Sequence, residues 1–298
     1  MSSAVRIGLG LPHYGPLAEP DRIAPFATAA ERLGYDSLWV GDRVLTPVRP
    51  SDLYPRGTPE RPYPPEFTRY LDPLLALTVA ATATSRIRLG SSALIATLHT
   101  PVLLARSLTS LDLISGGRLD VGLGIGWLRD EYTAAGVPWA NRGRRLDELL
   151  DALLALWTGD PVVHDGEHWT IPESVVDLRP AQRPHPPVLL AGHSQAALTR
   201  VGRRAQGWLP GGLPLDVLAT QWEAIRATAE RAGRDPDTLR RVLRLNPRTG
   251  TAADVAPQVL AAAEAGWQEV FVDLHFVSGD VAHAEDHARE LWELVSRG

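Results

Sequence analysis

Eight times along this chain, a short apolar run is followed by a longer segment in which apolar residues recur at helical spacing. Apolar runs that are continuous rather than alternating are typical of strands covered on both faces. Their alternation with helices favours parallel strands joined by right-handed crossovers. The predicted strands cover residues 5–11, 37–40, 87–95, 118–124, 188–191, 207–209, 242–245 and 269–274. The predicted helices cover residues 20–33, 72–84, 101–114, 146–157, 194–205, 215–232, 255–265 and 281–295.

Eight regular units favour a sheet that closes on itself, although a doubly wound open sheet shows the same alternation. The sequence therefore predicts an α/β protein with a (β/α)8 TIM-barrel fold. Its 298 residues suit one barrel domain over residues 1–298, because such barrels ordinarily take about 250 residues.

Two segments are longer than ordinary loops, one after strand two and one after helix four. Residues 46–70 contain seven prolines, and we interpret this segment as a lid over the mouth of the barrel. Residues 159–187 alternate around the pair Asp165 and Gly166, which predicts an inserted β-hairpin.

The composition excludes several kinds of chemistry. The chain has no cysteine, and all thirty basic residues are arginine, so thiolate nucleophiles, iron–sulfur clusters and Schiff-base lysines are ruled out. A net charge of −5 with both signs interspersed argues against nucleic acid or membrane as a partner and leaves a small-molecule substrate. The N-terminal residues are typical of a first strand rather than of a secretory signal, so we expect a cytoplasmic location.

Polar residues follow several strands at the end where barrels carry their active sites. Asp42 ends strand two, either as a site carboxylate or as half of a surface pair with Arg43. His13 lies near the end of strand one and His99 near the end of strand three. A histidine serves in proton transfer near neutral pH, although each of these is equally suited to a hydrogen-bonding wall.

Glycines and a helix start mark the ends of strands four and five. Gly124 and Gly126 let the backbone approach a ligand closely, although their spacing is not a dinucleotide fingerprint. Gly192, His193 and Ser194 lead into a helix, either as a plain cap or as an anion site for a phosphate.

Two histidine pairs have spacings that suggest metal ligands, His164 with His168 and His283 with His287. Neither pair has an evident third ligand. We therefore interpret both as solvated surface and predict no metal site.

The chain resembles the luciferase-like monooxygenase family and, within it, the flavin- or F420-dependent oxidoreductases. The resemblance covers most of the chain, and the order and spacing of its pieces carry it. These pieces are residues 29–40, 111–118, 122–127, 142–148, 187–194 and 207–208.

The resemblance implies a flavin or deazaflavin at the C-terminal mouth and pairing as a homodimer through barrel helices. It places a non-prolyl cis peptide between Ser92 and Ala93, as a wall for the ring, with Asp42 near the ring edge. It also places Gly124 and Gly126 beside the cofactor. A phosphate is expected at the segment 192–194.

Departures from the family pattern narrow these expectations. Sugar-phosphate dehydrogenases of this family have histidine and glutamate where this chain has Arg43 and Trp127, so their acid–base pair is missing. Bacterial luciferase engages its FMN phosphate with an arginine where this chain has Leu103. The resulting hypothesis is an F420-dependent oxidoreductase that transfers hydride, with Asp42, His13 and His99 as catalytic candidates. The alternatives are a two-component monooxygenase that uses reduced FMN and a flavin-binding homologue without turnover.

Overall fold

The computed structural model describes residues 5–55 and 57–296; the ends of the predicted domain 1–298, and residue 56 of the 46–70 segment, lie outside the described residues. Eight parallel strands form one sheet, in which each strand pairs with its neighbours in sequence. The sheet closes because the first strand pairs with the last and the third with the fourth. The predicted barrel is therefore confirmed. Its strands are β1 (Arg6–Gly10), β2 (Ser37–Val40), β3 (Arg88–Ser91), β4 (Leu119–Gly124), β5 (Val188–Ala191), β6 (Gly207–Leu209), β7 (Arg240–Leu245) and β8 (Glu269–Val272).

Eight helices follow the strands and surround the sheet. A short extra helix, Arg129–Ala134, follows β4 and is absent from the sequence prediction. The predicted hairpin is present as the antiparallel strands Val162–Asp165 and Thr170–Ser174. The barrel helices are α1 (Ile23–Leu33), α2 (Pro73–Ala83), α3 (Pro101–Ile114), α4 (Arg142–Thr158), α5 (Gln195–Arg204), α6 (Leu215–Arg231), α7 (Ala252–Glu264) and α8 (Val281–Val295).

The third strand differs from its prediction as one run over 87–95. The structure divides it into β3 and a short strand, Leu94–Ile95. Gly90 pairs with Asp120 but Leu94 pairs with Leu123, so the register along β4 slips by one residue between them. Apolar periodicity does not reveal such a slip, which explains why the sequence predicted one strand.

The barrel interior is filled by large apolar side chains. The indole of Trp39 stacks on Phe271, with 5.0 Å between ring centroids. A Cβ atom on Gly90 would lie 2.3 Å from the Trp39 ring, so glycine is required there. Leu189, Leu209 and Val242 complete this buried cluster, which gives a packed core rather than a pore.

Charged groups close the base of the barrel, at the N-terminal ends of the strands. Arg240 bonds both Asp120 and Glu269, at 2.6 and 2.8 Å. Arg88 bonds Asp120 at 2.6 Å and Arg6 bonds Glu269 at 2.7 Å. Burial alone would raise the pKa of Asp120, but hydrogen bonds from Arg88 and Arg240 lower it. We infer that this end of the barrel serves stability, as in other barrels.

Hydrogen bonds to carboxylates hold the two insertions, the 46–70 segment and the hairpin, against neighbouring helices. Ser51 N–H bonds Asp130 at 2.8 Å, and Arg129 N–H bonds Asp52 at 2.9 Å, so the 46–70 segment is held to the short helix. Glu148 of α4 accepts hydrogen bonds from the backbone of the hairpin at His168.

The surface interpretation of the histidine pairs is wrong for His164 and His287, whereas His283 is exposed. His164 lies beside Glu148, with 3.5 Å between Nε2 and Oε1 and most of its side chain buried. His287 is buried and its Nδ1 lies 3.0 Å from the Ser278 hydroxyl. The hairpin and α8 pack these two rings against the rest of the protein. The polar residues next to them in sequence did not indicate this burial. Among the described residues, no group of three or more potential ligands could hold a metal ion.

Helix α2 carries no charged residue, and its outer side chains Leu75 and Val79 are exposed. Val102 and Leu103 on the adjacent α3 are exposed as well. We call these four side chains the α2–α3 apolar face. None of the helices in the described chain combines the length and the apolar character needed to cross a membrane.

Candidate functional site

Small residues form a smooth wall where β3, β4 and β5 end at the mouth. A Cβ atom on Gly124 would lie 3.5 Å from the Ala93 Cβ and 3.7 Å from the Ala191 Cβ. Ala93 and Ala191 are both partly exposed. A surface with no side chain larger than a methyl group offers a flat contact for an apolar ring.

The wall ends at the start of α5. Gly192 has φ of +130°, and a Cβ there would lie 2.7 Å from Ala197, so both the backbone and the space require glycine. The Ser194 hydroxyl accepts a hydrogen bond from the Ala197 N–H and caps the helix. The remaining free N–H groups of this first turn suit an anion.

His193 differs from Gly192 and Ser194 in the predicted phosphate segment, because its ring contacts other parts of the protein. Its Nδ1 lies 2.9 Å from Oε1 of Gln221 and its Nε2 lies 3.1 Å from the Gly211 carbonyl. Both ring nitrogens therefore hold the loop to α6 and to the end of β6.

Asp42 supports the wall from the end of β2. Its Oδ2 accepts a hydrogen bond of 2.8 Å from the backbone N–H of Ile95, two residues beyond Ala93. The Ser92–Ala93 peptide is cis, as expected. Burial raises the pKa of Asp42 above its usual range, although the Ile95 bond opposes this. Asp42 and Arg43 are not a surface pair, since Arg43 pairs with Glu131.

His13 is buried and both of its ring nitrogens are engaged. Its Nδ1 lies 2.5 Å from the Leu11 carbonyl, and its Nε2 accepts a hydrogen bond of 2.8 Å from the Gly41 N–H. Burial, assisted by the nearby His275, lowers the pKa of His13 to about 3. The ring is therefore neutral near pH 7, which favours the wall interpretation over proton transfer.

His99 is the more accessible of the two histidine candidates. It is partly exposed and follows the short turn after Leu94–Ile95. An electrostatic interaction with His99 opposes the effect of burial on the pKa of Asp42.

A buried network that the sequence analysis missed lies beside His13. Arg244 donates from Nη1 to the Ser92 carbonyl at 3.0 Å, and its Nη2 bonds Asp273. Asp273 also accepts from the Tyr14 hydroxyl at 3.0 Å and bonds the ring of His275. Burial opposes the ionisation of Asp273, but His275 and Arg244 hold its pKa well below the usual range. The available signals were a charged residue inside an apolar strand and a carboxylate at the end of β8.

Arg43 occupies a second buried position at the mouth. Its guanidinium lies 4.8 Å from the ring centroid of Trp127 and 5.6 Å from that of Phe67. Trp127 is partly exposed and contacts Tyr54 of the 46–70 segment, with 5.3 Å between ring centroids. Glu131 approaches from the short helix, with 3.4 Å between its Oε2 and the Arg43 Nη2.

A cavity of about 880 Å³ separates the 46–70 segment from the ends of β7 and β8. Asn246 lines it and its Oδ1 accepts from Arg244 Nε at 2.9 Å. Arg244 in turn bonds the Ser92 carbonyl, so two hydrogen bonds link Asn246 in the cavity lining to the backbone that precedes Ala93. The other residues that line the cavity include Tyr54, Tyr63, Glu66, Arg248 and Phe276.

Comparison with known proteins matches this architecture to one family. The family model for luciferase-like monooxygenases matches residues 3–295. The chain belongs to the luciferase-like monooxygenase family. It is therefore an oxidoreductase, and its structural neighbours include an F420-dependent enzyme and an enzyme in complex with FMN.

The chain is similar to one relative in sequence and to two enzymes in structure. An uncharacterized protein of Mycobacterium tuberculosis is 36% identical over 229 residues, which are 74% of this chain and 80% of that protein. The coenzyme F420-dependent tetrahydromethanopterin reductase of Methanopyrus kandleri superposes with a TM-score of 0.76 at 17% identity, over 99% of both chains. The oxygenating constituent of 3,6-diketocamphane monooxygenase of Pseudomonas putida, in complex with FMN, gives 0.77 at 17% identity, also over 99% of both chains. The fold is thus shared by enzymes with different cofactors.

Proposed function

We propose that this protein is an F420-dependent oxidoreductase that transfers hydride between a deazaflavin and a small organic substrate. The single observation that carries the proposal is the smooth wall of Ala93, Gly124 and Ala191, which leads directly to the capped start of α5. A flat apolar ring with a phosphorylated tail needs a wall and an anion site arranged in this order.

The residues present fit such a group. Ala93, Gly124 and Gly126 would face the ring, with Ser92 beneath it, and the first turn of α5 with Ser194 would hold the phosphate. Asp42 fixes the wall through Ile95. When bound, a reduced deazaflavin supplies a hydride to the substrate.

The rest of the site orients the substrate and excludes water. The 46–70 segment provides most of the lining of the cavity at the ends of β7 and β8, and we propose that it acts as a lid. Asp42 and His99 are the proposed side chains for handling a proton, because both follow strands that end at the mouth. His13 is proposed only to position Gly41, since its ring nitrogens are already bonded.

Leu103 supports F420 over FMN. Bacterial luciferase uses an arginine at this position for the FMN phosphate, and the Leu103 side chain lies exposed on α3, where it offers no donor. A monooxygenase that uses reduced FMN is the second candidate, because the start of α5 fits the phosphate of either cofactor. A flavin-binding homologue without turnover remains the third.

The deciding experiment is an anaerobic titration with F420 and with FMN, each oxidised and reduced, followed by tryptophan fluorescence. Nine tryptophans make quenching measurable. Binding of F420 at least tenfold tighter than FMN, a gap of about 1.4 kcal/mol, supports the proposal. The reverse preference supports the monooxygenase, and binding of neither contradicts the cofactor assignment.

We also propose that the protein forms a homodimer through the α2–α3 apolar face. A helix that is apolar on all sides is ordinarily buried, yet Leu75 and Val79 are exposed in a single chain. The cytoplasmic location stays a prediction.

A further inference from the structure

A groove with a volume of about 550 Å³ runs along the outside of the barrel between α4 and α5. Gln195 and Ala196, in the first turn of α5, line one end of it, directly after the Ser194 cap. The groove therefore begins where the proposed phosphate site ends. We call it the α4–α5 groove, and its other lining residues are Asp147, Thr199, Arg200, Arg203 and Arg204.

The α4–α5 groove carries an excess of positive charge. Among the described residues that line it, three are arginines and one, Asp147, is a carboxylate. Helix α5 contains no acidic residue, although acidic residues outnumber basic ones in the whole chain, 35 to 30. The positive charge is thus a local property of the groove, and it favours an anionic ligand.

Two of the three arginines hold α5 to α4. Arg200 bonds Asp147 through Nε at 2.6 Å and through Nη2 at 3.0 Å, and Arg204 bonds Asp151. Arg203 differs from both, because its side chain is exposed and forms no hydrogen bond or ion pair with any residue that the structure describes. Pairing between the helices therefore explains Arg200 and Arg204 but leaves Arg203 available for a ligand.

The positions of the arginines along α5 determine the shape of that ligand. An α-helix rises about 1.5 Å per residue, so Arg203 lies about 14 Å along the axis from the Ser194 cap. Arg200 lies one turn closer to the cap, on the same face of the helix. A ligand whose phosphate binds at the first turn of α5 must therefore be extended, and must carry further negative charges, to reach both arginines.

We propose that the α4–α5 groove binds the γ-linked oligoglutamate tail of F420. This inference rests on the proposed function. In F420 the phosphate is followed by a lactyl group and a chain of glutamates, each with a free carboxylate, whereas FMN ends at its phosphate. Carboxylates along the groove accept hydrogen bonds from Arg203 and from Nη1 of Arg200, which has no partner among the described residues. Guanidinium groups suit this role because their donors match both oxygens of a carboxylate.

The test compares two forms of the oxidised cofactor by quenching of tryptophan fluorescence. One form carries five glutamates, and the other ends at the phospholactyl group with no glutamate. At low salt we expect the five-glutamate form to bind about tenfold tighter, because two or three exposed ion pairs each contribute modestly. About 0.5 M NaCl should reduce this difference below about twofold, since salt screens exposed charges.

Arg203→Gln should weaken binding of the five-glutamate form about threefold or more and leave the affinity of the other form unchanged. The variant should keep its fold, because the Arg203 side chain has no partner to lose among the described residues. Arg203→Lys keeps the charge and should retain most of the advantage that the tail gives. Arg32→Gln is the matched control, since Arg32 is likewise exposed but lies on α1, away from the groove. It should change neither affinity.

Equal affinities of the two forms for the wild type would overturn the proposal. Equal losses of both forms in Arg203→Gln would also overturn it, as would an advantage of the five-glutamate form that persists at high salt. Failure of both forms to bind contradicts the proposed function itself, and this outcome is distinct from equal binding of both.

Discussion

Arg244 of the seventh strand donates a hydrogen bond of 3.0 Å to the carbonyl oxygen of Ser92, at the end of the third strand. The bond joins two strands across the mouth and fixes the backbone of the proposed cofactor wall. Arg244 is held in turn by Asp273, so wall and network form one unit.

Arg244→Gln should destabilise the fold, because it leaves the buried carboxylate of Asp273 without its guanidinium. Breaking a buried pair typically costs about 3–5 kcal/mol. Urea unfolding at pH 7 measures the free energy of unfolding, with Arg248→Gln on an exposed arginine as the control. A loss below about 1 kcal/mol would show that the network carries little stability.

His13 should make stability depend on pH. Its pKa in the folded protein is lowered from 6.5 to about 3, so the folded state resists protonation. Its contribution is fully present above pH 6.5 and is lost as pH falls, by up to about 1.4 kcal/mol per unit. His13→Gln cannot be protonated, and its unfolding free energy should fall less steeply between pH 6 and 4. His283→Gln, on an exposed ring, should keep the wild-type slope; parallel slopes for wild type and His13→Gln would refute the prediction.

Gly124→Leu should block the wall while the barrel still folds. The Cβ position lies in ordinary contact with Ala93 and Ala191, so Gly124→Ala is tolerated, but a longer side chain projects into the ring site. We expect at least a tenfold loss of cofactor affinity in Gly124→Leu and less than threefold in Gly124→Ala. Fluorescence titration gives both values, and equal affinities would place the ring elsewhere.

The double variant Leu75→Glu with Val79→Glu should separate the proposed dimer. Two charges on the α2–α3 apolar face cannot be buried against a second copy without a large desolvation cost. Sedimentation equilibrium should give twice the mass of 32.4 kDa for the wild type and the single mass for the variant. Val163→Glu, on the exposed side of the hairpin, should leave the dimer intact. A monomeric wild type would contradict the proposal.

The order of elements could be predicted because each strand and helix carries its own periodicity. β2, β5 and β6 match their predicted bounds, as do α3 and α8. Helix α7 begins earlier than predicted because Thr251 and Asp254 form a capping box, a signal that was present in the sequence but not used. The slip between Gly90 and Leu94 had no such signal, because it depends on pairing with β4.

The candidate site could likewise be predicted only in part. Asp42, Gly124 and Ser194 could be proposed as site residues from the sequence because strand ends and helix caps have local signatures. Arg244, Asp273 and Glu131 were missed because their partners lie far away in sequence. Arg244 and Ser92, for example, are separated by 152 positions. The neutral state of His13 likewise follows from its burial, which residue spacing does not reveal.

The filled interior around Trp39 and Phe271 also determines how molecules reach the site. Below that cluster lies the charged base, so the barrel offers no passage from one end to the other. Under the proposed function, substrate and product therefore enter and leave on the same side of the sheet, at the mouth where the 46–70 segment lies.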